Sequence, residues 1–145
     1  MQNQKIKVTI AVDTSGSCTG DLPKFFAEFN SLMKSFGNYE VNLIQCDAEV
    51  TSCDKYDGST PFDPDIKNFN FKGFGGTSFK PVFKYVREHG IEQDCLIYFT
   101  DGYGDAPDYP PPYPVLWVLT TDHDDDFCSW GTKLPFKEKY QRENY

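Results

Sequence analysis

Apolar residues along this chain alternate between unbroken short runs and runs with helical spacing. Ile6-Lys7-Val8-Thr9-Ile10-Ala11-Val12 is the first, with a strand expected over about 5–12. Asp21-Leu22-Pro23 reads as an N-cap with Pro in the first turn, opening a helix to Phe36. Leu22, Phe25, Phe26, Phe29, Leu32, Met33 and Phe36 form a stripe of period 3.6, which marks them as core. A second strand is expected over Tyr39–Cys46 and a second helix over Phe79–His89, capped by Thr77 or Ser78, with Phe79, Val82, Phe83 and Val86 inward. Cys95–Phe99 and Val115–Leu119 read as buried strands, and a last strand is expected near 128–134. Short edge pieces, one of them antiparallel, are expected at 49–52 and 67–71.

Strands apolar at consecutive positions are covered on both faces, and helices separate several of them. The pattern predicts an α/β fold with a doubly wound, mostly parallel central sheet and one antiparallel edge strand. In such sheets ligands collect at the carboxyl ends of the strands, where the strand order reverses. Asp13 ends the first strand and Asp101 the Cys95–Phe99 strand. If those two strands are neighbours, the carboxylates share one crevice.

Composition narrows the choice. A length of 145 residues suits one domain, expected over 1–136 with a charged tail at 137–145. The net charge of −8 argues against a nucleic-acid partner and against an anionic membrane. Residues 1–5 have no apolar signal region, and no run is long enough to span a bilayer. The five cysteines are odd in number and lack C-x-x-C spacing; Cys46 and Cys95 sit in apolar runs, as small buried hydrophobes do. A reducing, cytoplasmic location is the expectation.

The chemistry lies at the strand ends. Asp13-Thr14-Ser15-Gly16-Ser17 offers one carboxylate and two hydroxyls on a tight loop. Thr77 follows Gly75-Gly76, and Thr100-Asp101-Gly102 closes the later strand. An oxygen-only set with few formal charges suits a hard divalent cation such as Mg²⁺ or Mn²⁺. The D-x-S-x-S, T and D pieces, in this order, resemble the metal-ion-dependent adhesion site (MIDAS) of von Willebrand factor A (VWA) domains. The likeness runs from about Lys5 to Leu119. It implies that Ser15, Ser17 and Thr77 touch the metal while Asp13 and Asp101 act largely through bound water. An acidic residue of a partner protein would then complete the coordination. Such domains of bacteria often work beside MoxR-type AAA+ ATPases, which makes one an expected partner.

Cys46-Asp47-Ala48, Phe74 to Pro81 and Leu96 to Gly102, followed by Tyr113 to Leu119, are similar to the VWA-like half of metallopeptidase-like proteins of bacteria and phages. That group carries a zinc-peptidase half with H-E-x-x-H. The only histidines here are His89 and His123, neither in such a motif, so the resemblance implies no peptidase activity in this sequence. The group also tends to have Asp after the Thr; Ser78 in that place lowers the formal charge of the site. Asp47, just past the second strand, either bonds the metal loop from behind, as Ser78 also would, or is a plain turn residue.

The rival class is a Mg²⁺-dependent phosphohydrolase of the haloacid-dehalogenase type. It needs a second Asp two positions after the first, where this chain has Ser15, and a Lys near Asp101. A VWA domain with a vestigial site is the third reading. Asp122-His123-Asp124-Asp125-Asp126 lacks the Gly and distal Glu of an EF-hand and reads as a solvated acidic turn. Pro110-Pro111-Pro112 reads as a rigid connector rather than an SH3-type ligand.

Overall fold

The structure, a computed structural model, describes residues 5–14, 20–65, 78–120, 124 and 126–136. In chain order the elements are β1 (Ile6–Asp13), α1 (Leu22–Lys34), β2 (Tyr39–Cys46), β3 (Val50–Asp57), α2 (Lys80–Glu88), β4 (Cys95–Thr100), β5 (Val115–Leu119) and β6 (Thr132–Pro135). They build one six-stranded sheet in the order β3-β2-β1-β4-β5-β6. Every neighbouring pair is parallel except β2 and β3. The α/β sheet with a single antiparallel edge strand is therefore the observed architecture. The piece expected at 67–71 lies outside the described residues.

Period two explains why the central strands are apolar throughout. Val8, Ile10 and Val12 of β1 join α1 on one face, together with Val41, Leu43, Phe99 and Val118. Ala11 faces the other way and joins α2 with Ile44, Cys46, Leu96, Tyr98 and Trp117. Each helix covers one face, so β1 from Val8 onward and β4 from Tyr98 onward are buried on both sides.

Some local expectations needed correction. Helix α1 stops at Lys34, so Phe36 lies past the end of the stripe and is 39% exposed; Leu32, at the stripe's margin, is 51% exposed. The Asp21 side chain makes no capping bond; its carbonyl accepts the Phe25 amide at 3.0 Å instead. Phe79 is the N-cap residue of α2, while the Ser78 hydroxyl accepts the Lys80 amide at 3.4 Å. Strand β3 runs to Asp57, longer than expected, because Tyr56 packs on the α1-side core. Asp57 then turns the chain: its Oδ1 accepts the Ser59 and Thr60 amides at 2.9 and 3.0 Å. At the far edge β6 is four residues long and ends in Pro135.

Candidate metal site at the strand ends

Strand order reverses between β1 and β4. The chain leaves β1 through α1 to reach β2 on one side, and returns through α2 to β4 on the other. This crevice is where a doubly wound sheet opens for ligands. The register pairs Val12 with Phe99, so Asp13 stands beside the end of β4.

Asp13 is fully buried and Asp101 is 5% exposed. A third residue joins the two strand ends. The Thr100 hydroxyl donates to Asp13 Oδ2 at 2.7 Å and accepts the Gly102 amide at 3.1 Å. With its acceptor side taken by an N–H, the hydroxyl proton is directed to Asp13, whose Oδ2 is held as an acceptor. On the loop beyond, Asp101 Oδ1 accepts the Tyr103 amide at 3.0 Å. The neighbouring Thr14 is also fully buried; its amide bonds the Cys46 carbonyl at 3.0 Å, and its hydroxyl has no partner among the described residues. A polar atom stranded in this way costs about 1–3 kcal/mol.

Asp47 occupies the end of β2, 7% exposed. Its Oδ1 accepts the Ala48 and Glu49 amides, the second at 3.0 Å. Its carbonyl accepts the Ser78 amide at 3.2 Å, while the Phe79 amide bonds the Asp105 carbonyl at 2.8 Å. Ser78 also bridges to Asp105 in parallel fashion. The start of α2 is thus pinned between the loop after β2 and the loop after β4. Asp47 and Ser78 meet through the backbone, while their side chains accept the amides of Ala48 and Glu49 and of Lys80.

Three adjacent strands therefore carry an Asp at or just past their ends: Asp47 after β2, Asp13 closing β1 and Asp101 after β4. Ser15, Ser17 and Thr77 lie outside the described residues. Among the described residues no cluster of three or more His, Cys, Asp or Glu is arranged to hold a metal. The donor set expected here needs only two carboxylates, the rest being hydroxyls. Buried carboxylate oxygens and the stranded Thr14 hydroxyl make this end of the crevice polar and oxygen-rich, which fits a hard cation. The Cys46 thiol is buried and neutral in the metal-free chain. Burial pushes its thiol up to about 12, with Asp47, Asp13 and Glu49 adding and a Tyr98 hydrogen bond opposing. A thiol must ionise to bind metal or attack carbon.

Sequence reasoning gave Thr100 and Gly102 no role of their own. Gly102 has φ +81°, and a Cβ there would lie 2.3 Å from the Asp124 carbonyl oxygen. The T-D-G run carried the signal, since a Gly after a strand-end Asp marks a turn needing positive φ. The acidic turn is also more than solvated: the Asp124 amide bonds the Asp101 carbonyl at 2.9 Å, so it braces the site loop. Asp126 is exposed, and Asp122, His123 and Asp125 lie outside the described residues.

A doubly wound sheet with carboxylates at its reversal point and a T-D-G loop after β4 defines the VWA class of domains. The model of the family described as VWA-like domain (DUF2201) matches residues 8–137, and the chain belongs to that family. An uncharacterized protein of Thermotoga maritima is 30% identical over 129 residues, which cover 88% of this chain and 30% of the relative. The chain thus spans less than a third of that relative's length. Among solved structures, the conserved hypothetical protein BatB of Bacteroides thetaiotaomicron superposes with a TM-score of 0.59 at 15% identity. The match covers 80% of this chain and 67% of that one. At that identity the likeness concerns the fold. No helix among the described residues is long and apolar enough to cross a membrane.

Proposed function

We propose that the chain is a non-catalytic, metal-ion-dependent protein-interaction module. Ser15, Ser17 and Thr77 would hold Mg²⁺ or Mn²⁺ directly, and Asp13 and Asp101 through water. An Asp or Glu of a partner protein completes the coordination, since two carboxylates leave part of the cation's charge unbalanced. A MoxR-type AAA+ ATPase is the partner class that the family suggests, and the cytoplasm is the matching location. The observation that carries the reading is the pair of buried carboxylates, Asp13 and Asp101, at the ends of adjacent strands and joined through Thr100.

The test is calorimetry with Mn²⁺ on the purified chain. One weak site is expected, lost in Asp13→Ala and weakened in Thr77→Ala, with circular dichroism checking the fold. Binding unchanged in Asp13→Ala would remove the assignment. Turnover of a phosphate ester or a protein substrate that depends on Asp13 or Asp101 would move the chain into the enzyme class.

A further inference from the structure

Beside the strand-end crevice runs a groove of about 1490 Å³ between α2 and the 105–113 loop. Glu49 and Ser78 line its near end, and Gly90 to Gln93 its far end, so it follows the axis of α2 away from the site. One wall is apolar: Pro110, Pro111, Pro112 and Tyr113, with Tyr109 at the rim 83% exposed. The other wall is basic. Lys80, Lys84 and Arg87 are all exposed and sit at spacings of four and three residues, which puts them in one stripe.

That stripe stands out on a chain of net charge −8. The acidic residues lining the groove are Glu49, Glu88 and Glu92. Glu92 is occupied by Lys7 at 3.2 Å, and Glu88 reaches Lys84 at 4.0 Å, an exposed i,i+4 contact of little strength. Among the described residues Lys80 and Arg87 have no ion-pair partner and line the groove, and Lys84 is only loosely engaged. At physiological salt, charges farther than about 8 Å are largely screened, so the stripe rather than the net charge governs a bound segment.

We propose that this groove docks an extended acidic segment of a partner protein, with Asp or Glu at alternate positions over Lys80, Lys84 and Arg87 and the intervening apolar residues against the proline wall. The spacing favours an extended occupant. Lys80 and Lys84 lie about 6 Å apart along the helix and Lys84 and Arg87 about 4.5 Å, spans that their long side chains can stretch to the roughly 6.7 Å between same-face residues of a strand. The wall of Pro and Tyr suits such a chain, as aromatic and proline-lined grooves do elsewhere. The proposal rests on the reading above only for the carboxylate that reaches the metal; the contacts along the groove need no cation.

The probe is a fluorescein-labelled peptide of about twelve residues, with Glu at alternate positions and Pro or Leu between, beside its Gln counterpart. Binding to the full, ¹⁵N-labelled chain is followed by fluorescence polarisation and amide shifts in EDTA. The acidic peptide is expected to bind at least about tenfold more tightly than the Gln peptide and to weaken as salt rises, since the contacts are ionic. Shifts should fall on α2 and the 105–113 loop. Replacement of Lys80, Lys84 and Arg87 by Gln should cost at least about tenfold, while Lys80→Arg with Lys84→Arg should retain binding. Equal affinity for both peptides, tighter binding of a Lys version, or shifts confined to other elements would overturn the proposal. So would self-association of the free chain abolished by the Gln variant, because a second copy would then fill the groove. Repeating the titration in Mg²⁺ separates the two readings. An unchanged affinity on adding the cation counts against metal completion and leaves the groove standing.

Discussion

The two layers that sandwich the sheet are made differently. On the α1 side the core is mostly phenylalanine: Phe25 stacks on Phe99 at 4.6 Å, and Phe62 meets Phe29, Tyr56 and Phe26 at 5.0, 5.2 and 5.5 Å. On the α2 side the large residues carry polar handles. Trp117 stacks on Tyr98 at 5.2 Å while its Nε1 donates to the Trp130 carbonyl at 3.2 Å. Trp130 Nε1 in turn donates to the Pro107 carbonyl at 2.8 Å. One layer stabilises chiefly by burial, its Tyr39 hydroxyl accepting the Phe62 amide at 3.4 Å. The other spends part of its surface tethering the loops that border the groove and the site. The groove proposed to dock a partner lies on the tethered side.

Substitutions in the two layers should therefore separate stability from binding. Phe25→Ala, in the phenylalanine layer, should cost about 3–5 kcal/mol in a denaturant titration, with cation affinity of the folded fraction unchanged. A lost cation site in still-folded Phe25→Ala would break the comparison. Thr100→Val should cost about 1–3 kcal/mol by removing the hydroxyl that bonds both Asp13 Oδ2 and the Gly102 amide. It should also weaken Mn²⁺ binding about 10- to 100-fold, with Thr100→Ser restoring most of it. A fall in melting temperature at constant cation affinity would reduce Thr100 to a structural tie.

Trp130→Phe keeps the ring and deletes one donor, so about 0.5–1.5 kcal/mol is at stake. Its sharper readout is faster amide exchange in the 105–113 loop, with the α1 layer unaffected. A last effect is seen only in alkali. The Cys46 thiol is held up at about 12 in the folded chain and ionises near 9.0 when unfolded. Its contribution is complete below about pH 9 and is lost as pH rises towards 12. Tyr113, also pushed up to about 12 by burial, adds to the same decline from about pH 10. Cys46→Ala should flatten the fall in stability between about pH 9 and 11; an unchanged slope would count against a buried, neutral thiol.

Much of this was legible in the chain because burial leaves a periodic mark. Tyr39–Cys46 and Val115–Leu119 end where their apolar runs end, and the pairing of β1 with β4 is one that the crossover rule allows. What escaped reading depends on contacts between distant segments. Nothing local to Thr100 says that its hydroxyl meets Asp13, 87 positions away. Nor does an acidic turn announce that the Asp124 backbone will brace Asp101. The helix ends were misjudged where a stripe ran on past the helix, at Phe36, because hydrophobic spacing persists in sequence after the backbone has turned away.

The two borders of the sheet bear on how this domain can be recruited. At one border β3 offers Asp54, Lys55 and Asp57, charges that make it a poor template for a further strand. At the other, β6 is cut short by a proline with no N–H to give. Edge-to-edge association, the usual hazard of an open sheet and the usual route for strand addition, is discouraged at both. Assembly is thereby channelled away from backbone pairing, which accepts almost any extended sequence, towards side-chain surfaces that can discriminate among partners.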